Sequence, residues 1–318
     1  MRVTTEPHWA TGIVESITTY LLDAQNPDGG WGYRRGLASS TEVTSLGLLA
    51  LSSHPSGAAD GALRWLLENQ RADGGWPVTL QISGSSWPTA LAVLALGEAT
   101  TGTVLMEGVR WLVAREGQPI SWKSRLFARL FPSRVAADLD FNLTGWPWIA
   151  GAFSWVEPTS CALLALKSVR SHISPDEASD VLAAAQDRID EAEAMLLDRV
   201  CRGGGWNYGN TRVLGEELWP YPDTTALGLL ALQDVPDRPE IHESVAALER
   251  MVETEISGLN LSLAVLSLQL YGRDVAGLRE RLANQWRETG FLGEMRVVAL
   301  AALAFDEARR PLRTVADA

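Results

Sequence analysis

The sequence predicts an all-α protein built as an (α/α)6 barrel of six helix pairs. Two observations support this prediction. An apolar segment that begins with threonine is repeated at residues 44–51, 89–96, 159–166 and 225–232. An amphipathic segment precedes each copy, so the repeating unit is a pair of helices, and a period of tens of residues with two helices per unit is typical of a helical repeat array.

The two helices of each pair differ in charge. The second is rich in Ala, Gly and Leu and almost free of charge, which predicts a helix buried on all sides, whereas the first carries Arg and Glu on one face and is predicted to be outer. If the inner helices form a closed ring, they run parallel and their N-termini meet at one mouth. The spacing leaves an open superhelix as the alternative.

We expect one domain over residues 1–318, with an insertion at about 116–154 before the third inner helix. Elsewhere, residues 25–31 and 70–76 form glycine-rich turns between an outer helix and the next inner helix, each with Gln at the start and Trp at the end. The glycines permit the positive φ that ends a helix. We expect the Gln and Trp side chains to tie the turn to neighbouring helix ends.

The composition limits the classes of function. A formal net charge of -12 and a pI of about 4.9 argue against a general nucleic-acid-binding protein, because phosphate binding depends on Lys and Arg. Two cysteines and the absence of an apolar leader at the start predict a cytoplasmic protein, and the apolar stretches are shorter than the ~20 residues that cross a bilayer. Thirteen tryptophans suggest an aromatic-lined cavity.

The position two residues before each aligned threonine or its equivalent predicts the residues at the mouth. These residues are Glu42, Trp87, Glu157, Asp223, Leu259 and Arg296. Carboxylates crowded above an apolar cavity cannot all ionise, so at least one should have a raised pKa and could act as a general acid. The alternative is that the three carboxylates only cap their helices.

Two motifs resemble those of a known superfamily. Residues 20–31 and 65–76 resemble the QW repeats of the squalene-hopene cyclase and oxidosqualene cyclase superfamily, and Tyr221-Pro222-Asp223-Thr224-Thr225 resembles the Asp-x-Asp-Thr-Thr motif of class II terpene cyclases. The resemblance implies an (α/α)6 barrel in which Asp223 protonates an alkene or epoxide and both threonines orient it. Tyr221 replaces the first Asp of the motif. The implied reaction is the protonation-initiated cyclisation of a farnesyl- or geranylgeranyl-type isoprenoid.

Aromatic side chains would stabilise carbocations in such a site through their π faces. The side chains expected to bind substrate are Trp87, Trp155, Trp219, Trp206, Tyr208 and Arg296. The reaction needs no cofactor. If the substrate is a diphosphate, Asp138 and Asp140 could hold Mg²⁺ against it.

Part of the insertion, residues 121–134, carries four cations and no acid beside three aromatic residues. It could contact a membrane surface or a substrate diphosphate, or it could be a surface helix packed on the barrel. The cavity also needs a cover. This insertion, a second copy of the chain or a partner domain could supply it.

Three other functions fit the same fold. The chain could be a non-catalytic isoprenoid or lipid carrier, or a toroid used for protein interactions. It could also resemble the catalytic subunit of protein prenyltransferases, in which Asp, Cys and His hold zinc. Glu157 and Cys161 are four residues apart on one helix face, but all four histidines lie outside the inner helices.

Overall fold

The computed structural model describes residues 8–54, 56–100, 102–118, 140, 142–170, 175–213, 215–306 and 312–314. These ranges contain twelve α-helices, one 3-10 turn at Gln269–Tyr271 and a short hairpin of Arg212–Val213 with Glu216–Glu217. The helices are α1 (His8–Asp23), α2 (Thr41–Leu51), α3 (Gly57–Glu68), α4 (Thr89–Ala99), α5 (Thr103–Val113), α6 (Val156–Arg170), α7 (Pro175–Asp198), α8 (Pro222–Ala231), α9 (Pro239–Met251), α10 (Gly258–Leu268), α11 (Ala276–Thr289) and α12 (Met295–Phe305).

The even-numbered helices form a closed inner ring. Each packs on the next, and α12 packs on α2. The predicted (α/α)6 barrel is therefore confirmed, and the open superhelix is excluded. The division follows composition: α4 is apolar around its whole circumference and buries every residue from 89 to 97, whereas α3 buries only Ala58, Ala62, Trp65 and Leu66 on one stripe.

Tryptophans fasten the turns that connect outer to inner helices. In four turns, the Trp backbone N–H donates to a threonine Oγ1 in the first turn of the next inner helix at 2.9–3.0 Å. The indole N–H donates to a leucine carbonyl at the end of the preceding outer helix at 2.7–2.9 Å. The four pairs are Trp31 with Thr44, Trp76 with Thr89, Trp146 with Thr159, and Trp206 with Thr225. Each of these four tryptophans, which we call fasteners, therefore links the outer helix, the turn and the next inner helix through two hydrogen bonds.

Glycine on an inner helix makes room for the fastener. A Cβ added at Gly228 would lie 2.7 Å from the Trp206 ring, which is too close for any other residue without a shift. Gln25 strengthens the first turn, because its Nε2 donates to Gly29 O at 2.7 Å and to Ala58 O at 2.8 Å. The glycine-rich turns therefore link neighbouring repeats as well as the two helices within a repeat.

Trp146 is a fastener that the sequence analysis assigned to the insertion. The other three indoles bond a carbonyl ten residues earlier, but Trp146 bonds Leu112 O across 34 residues. The extra chain therefore lies between these two residues, and residues 142–154 belong to the third repeat. Two buried arginines hold this segment: Arg188 donates to Gly145 O at 3.2 Å, and Arg199 donates to Ser154 O at 2.9 Å.

A buried lysine lies at the end of the barrel opposite the inner-helix N-termini, which we call the lysine end. Lys167 Nζ donates to Ala231 O at 2.8 Å and pairs with Glu193 at 2.7 Å and with Asp234. Its side chain is 1% exposed, so these partners replace its water shell. No helix in the described ranges is both long and apolar enough to cross a bilayer.

Candidate active site

The N-termini of the inner helices surround one cavity of about 190 Å³. All six residues predicted to stand at the mouth line it. The residue four positions further along the chain from each of them lies on an inner helix and lines it too, giving a lower layer of Leu46, Leu91, Cys161, Leu227, Leu263 and Leu300. Because residues four apart share a helix face, a largely polar ring lies directly above a mainly leucine floor.

Glu42 is the most enclosed of the three carboxylates. It is 4% exposed, and it accepts hydrogen bonds from the Tyr33 hydroxyl and, at 3.3 Å, from Arg296. Burial raises the pKa of Glu42, and the charge of Arg296 partly offsets that effect. Ser40 caps α2 through the N–H of Val43, so Glu42 is not the helix cap.

Tyr33 is a site residue that the sequence analysis missed. It follows the Trp31 turn, where no repeat or motif marks it, and its hydroxyl reaches Glu42 only in the folded barrel. Burial and the charge of Glu42 raise the pKa of Tyr33. For Arg296, burial acts to lower the pKa, but Glu42 and Glu294 outweigh it and the net effect is a rise. Arg296 therefore keeps its charge beside Glu42.

Glu157 lies in the first turn of α6 and has a different environment. Within the described part of the chain, its carboxyl group has no hydrogen-bond partner. Burial raises the pKa of Glu157 to about 7, with further increases from the charges of Glu42 and Asp223 and an opposing effect from Arg296. This carboxyl group can therefore hold a proton near neutral pH while it faces the cavity.

Asp223 lines the same cavity and accepts the backbone N–H of Thr224 at 2.8 Å. The hydroxyl groups of the two threonines that follow it bond a backbone carbonyl instead. Those of Thr224 and Thr225 donate to Trp206 O at 2.6 and 3.2 Å, so they fasten the turn rather than orient the Asp223 carboxylate. Tyr221 occupies the N-cap position of α8, is 47% exposed and places its ring 5.3 Å from that of Tyr208.

The aromatic residues predicted to bind substrate fall into two groups. Trp87 and Tyr208 line the cavity together with Arg296. Trp155 and Trp219 are 38% and 80% exposed and do not line it, and Trp206 is a fully buried fastener. Composition alone could not separate these roles, because an indole can serve equally as a fastener, a cavity wall or a rim residue.

Apolar side chains are exposed around the mouth. Within the described ranges, twelve of the fourteen exposed large hydrophobic residues lie on the loops that precede inner helices. These are Leu37, Leu80, Ile82, Ile149, Phe153, Trp155, Tyr208, Val213, Leu218, Trp219, Tyr221 and Ile256. A concentration of apolar surface at one opening is typical of a site that receives an apolar ligand or partner.

Of the two predicted magnesium residues, only Asp140 is described by the structure, and it does not line this cavity. Asp138 and the segment 121–134 lie outside the described residues. Asp140 lies near the end of α7, where its backbone N–H donates to Asp198 at 3.0 Å and its carboxylate accepts from Asn142. Among the residues that the structure describes, no three His, Cys, Asp or Glu side chains are arranged to hold a metal ion. Burial and the charge of Glu157 raise the pKa of Cys161 well above its ordinary value, so this thiol stays protonated.

Comparison with known proteins gives structural similarity alone. No family model and no curated protein matches the sequence. The chain superposes on a crystal structure of a protein from Actinoplanes with a TM-score of 0.57 at 16% identity, covering 93% of this chain and 98% of that one. It also superposes on the apo type II terpene cyclase MstE from Scytonema with a TM-score of 0.54 at 18% identity, covering 88% and 77%. The chain therefore has a terpene cyclase-like fold.

Proposed function

We propose that this protein is a type II terpene cyclase in which Glu157 donates the proton that starts cyclisation of an isoprenoid. One observation carries the proposal. A carboxyl group whose pKa is raised to about 7 faces a leucine-floored cavity without a hydrogen-bond partner among the described residues. A general acid must be protonated at the working pH and must reach the reacting atom; the raised pKa of Glu157 supports the first requirement, and its place in the cavity wall supports the second.

The first chemical step transfers one proton. The O–H bond of Glu157 breaks, and the π electrons of the terminal alkene form a new C–H bond, which leaves a tertiary carbocation on the substrate. An epoxide oxygen could accept the same proton, with opening of its C–O bond. The next alkene then attacks the cation to form a ring C–C bond. The final cation forms a new alkene by giving up a proton, which returns to the Glu157 carboxylate directly or through solvent, so that the reaction is a net isomerisation.

Neighbouring groups suit each stage of this reaction. Arg296 opposes the rise in the pKa of Glu157, so its charge stabilises the carboxylate left after proton transfer. The faces of Trp87 and Tyr208 line the same cavity and can stabilise a carbocation by cation–π attraction. The leucine floor excludes water, which would otherwise trap the cation as an alcohol.

Of the three carboxyl groups at the mouth, Glu42 is engaged by Arg296 and Tyr33, so Glu157 and Asp223 remain as candidates for the acid. The motif resemblance implies Asp223, but one oxygen of that carboxylate is bonded to the first turn of α8. Glu157 keeps both oxygens free of hydrogen bonds within the described residues and has the raised pKa. We therefore assign the proton to Glu157 and give Asp223 a supporting role, as a negative charge that helps to keep Glu157 protonated.

The cavity and the fold support a proposal for the substrate class. The structural neighbour MstE is a type II terpene cyclase. An apolar floor beneath a polar ring favours a substrate with a hydrocarbon end. We propose a farnesyl- or geranylgeranyl-type isoprenoid.

The test compares wild type, Glu157→Gln and Asp223→Asn on farnesyl, geranylgeranyl and squalene-type substrates, with products identified by mass spectrometry. We expect a cyclic product from wild type, a loss of roughly 10²-fold or more in Glu157→Gln, and a smaller loss in Asp223→Asn. Wild-type activity should fall as pH rises through about 7, because the protonated form of Glu157 is lost. Glu68→Gln, on the exposed face of α3, is the matched control and should remain active.

Other outcomes assign other functions. Activity in Glu157→Gln together with none in Asp223→Asn would move the proton to Asp223. If wild type binds isoprenoids but converts none of them, the protein is an isoprenoid carrier. If it binds none, the cavity serves neither function.

A further inference from the structure

A second cavity of about 170 Å³ lies beside the cavity that contains Glu157. It is formed by α4, α5, α6 and the segment 146–151, and four indoles contribute to its wall: Trp87, Trp111, Trp146 and Trp148. We call it the tryptophan cavity, and the one around Glu157 the acid cavity. The proposed reaction does not use the tryptophan cavity.

Trp87 belongs to the walls of both cavities. Elsewhere the division follows the contact between α4 and α6, where neighbouring residues line different cavities. On α4, Leu91 faces the acid cavity and Ala90 the tryptophan cavity; on α6, Cys161 faces the first and Ala162 the second. The helices form a fixed part of the partition, and the Trp87 side chain forms the rest.

The four indoles are held in different ways. Trp111 and Trp146 are fixed, because their indole N–H groups donate to Asp73 at 3.0 Å and to Leu112 O at 2.9 Å. The Trp87 ring meets Trp148 edge to face, with centroids 4.9 Å apart. Within the described ranges, neither of these two indole N–H groups has a hydrogen-bond partner, and both side chains are partly exposed. Trp87 is therefore the part of the partition that can move without breaking a hydrogen bond.

The volumes indicate why the partition matters. Ordinary ligand pockets begin at about 300 Å³, and a cavity of about 150 Å³ holds benzene. The acid cavity alone is therefore large enough only for a ring-sized part of a substrate. The two cavities joined would exceed the lower limit for an ordinary ligand pocket.

We propose that Trp87 is the specificity-determining residue of this site and that the tryptophan cavity takes the hydrocarbon chain beyond the isoprene units next to Glu157. The identity of the ligand as an isoprenoid rests on the proposed function. The open side of the tryptophan cavity carries Arg115 and Glu116, one charge of each sign, so the structure assigns hydrocarbon to this cavity and no particular head group.

The experiment measures the binding of geraniol, farnesol and geranylgeraniol by calorimetry, with no turnover required. Ala114→Trp and Ala150→Trp each place an indole into the tryptophan cavity from its exposed side, and Ala72→Trp adds one at an exposed position that lines neither cavity. We expect both filled variants to bind geranylgeraniol at least tenfold more weakly, to bind geraniol within twofold of wild type, and to unfold at the same temperature. Trp87→Ala should increase affinity for geranylgeraniol relative to geraniol.

The outcomes separate this inference from the proposed function. An unchanged ratio of geranylgeraniol to geraniol affinity in both filled variants overturns the inference, even if wild type forms a cyclic product. A ratio that responds as expected while wild type forms no cyclic product supports the tryptophan cavity and refutes the cyclase. If no prenyl alcohol binds to wild type, the inference about the tryptophan cavity is wrong, and product formation alone decides the cyclase proposal.

Discussion

The two ends of the barrel differ in whether their buried ionisable groups have partners. At the lysine end, the three N–H groups of Lys167 match three acceptors, namely Ala231 O, Glu193 and Asp234. At the mouth, Glu42 is paired with Arg296, but Glu157 has no partner among the described residues and its pKa is raised by burial to about 7. The lysine end draws on Glu193 of the outer helix α7 and on Asp234 of the loop after α8, whereas the mouth is built mainly from residues of the inner helices.

The contrast separates stability from function. A buried ion pair with complete hydrogen bonding is compatible with a stable fold, whereas a buried carboxyl group without a partner has an energetic cost. The paired lysine at the lysine end is therefore explained by stability alone. The mouth keeps a buried carboxyl group without a partner among the described residues, and perturbed pKa values of this kind cluster at functional sites.

We expect the largest change in stability when Lys167 is removed from the lysine end. Lys167→Met leaves Glu193 and Asp234 without their cation, and we expect it to lower the free energy of unfolding by about 3 kcal/mol. This is the low end for breaking a buried pair, because the two carboxylate side chains are 21% and 25% exposed and keep some water. Urea denaturation measures the change. Arg170→Met, on the same helix and bonded to Gln186 at the surface, is the control and should change stability by less than about 0.5 kcal/mol.

At the mouth, by contrast, we expect a substitution of Glu157 to raise the free energy of unfolding. Below pH 4.5, Glu157 is protonated in both folded and unfolded chains; between pH 4.5 and about 7 only the unfolded chain releases the proton, so stability falls as pH rises. Glu157→Gln removes this loss and should stabilise the protein by on the order of 1–3 kcal/mol at pH 8, with a smaller difference at pH 5.5. A difference between variant and wild type that does not change with pH would contradict the raised pKa.

The smallest effect concerns how neighbouring charges tune Glu157. Arg296→Gln removes a cation and should raise the pKa of Glu157 above 7, whereas Asp223→Asn removes an anion and should lower it, each by about half a pH unit. The measurement is an NMR titration of glutamate carboxyl carbons, with Glu157→Gln to identify the signal. An unchanged pKa of Glu157 in both variants would show that burial alone sets it.

Local pattern was enough to predict the fold. Helices that are apolar all round must lie inside, and a repeated threonine marks the first turn of four inner helices. The same register predicted all six residues at the mouth, because equivalent positions in parallel inner helices reach the same height. These features follow from periodicity, which is a property of the chain itself.

The tertiary structure decided which role each tryptophan has and how strongly each carboxyl group at the mouth is buried and paired. Trp146 bonds Leu112 O across 34 residues, and Tyr33 meets Glu42 through a loop that no repeat marks. The pKa of Glu157 depends on burial and on charges from three other helices. Sequence alone determined the ring and its polar layer, since these depend on helical spacing; only the closed barrel sets the distances between repeats, and those distances govern burial and electrostatics.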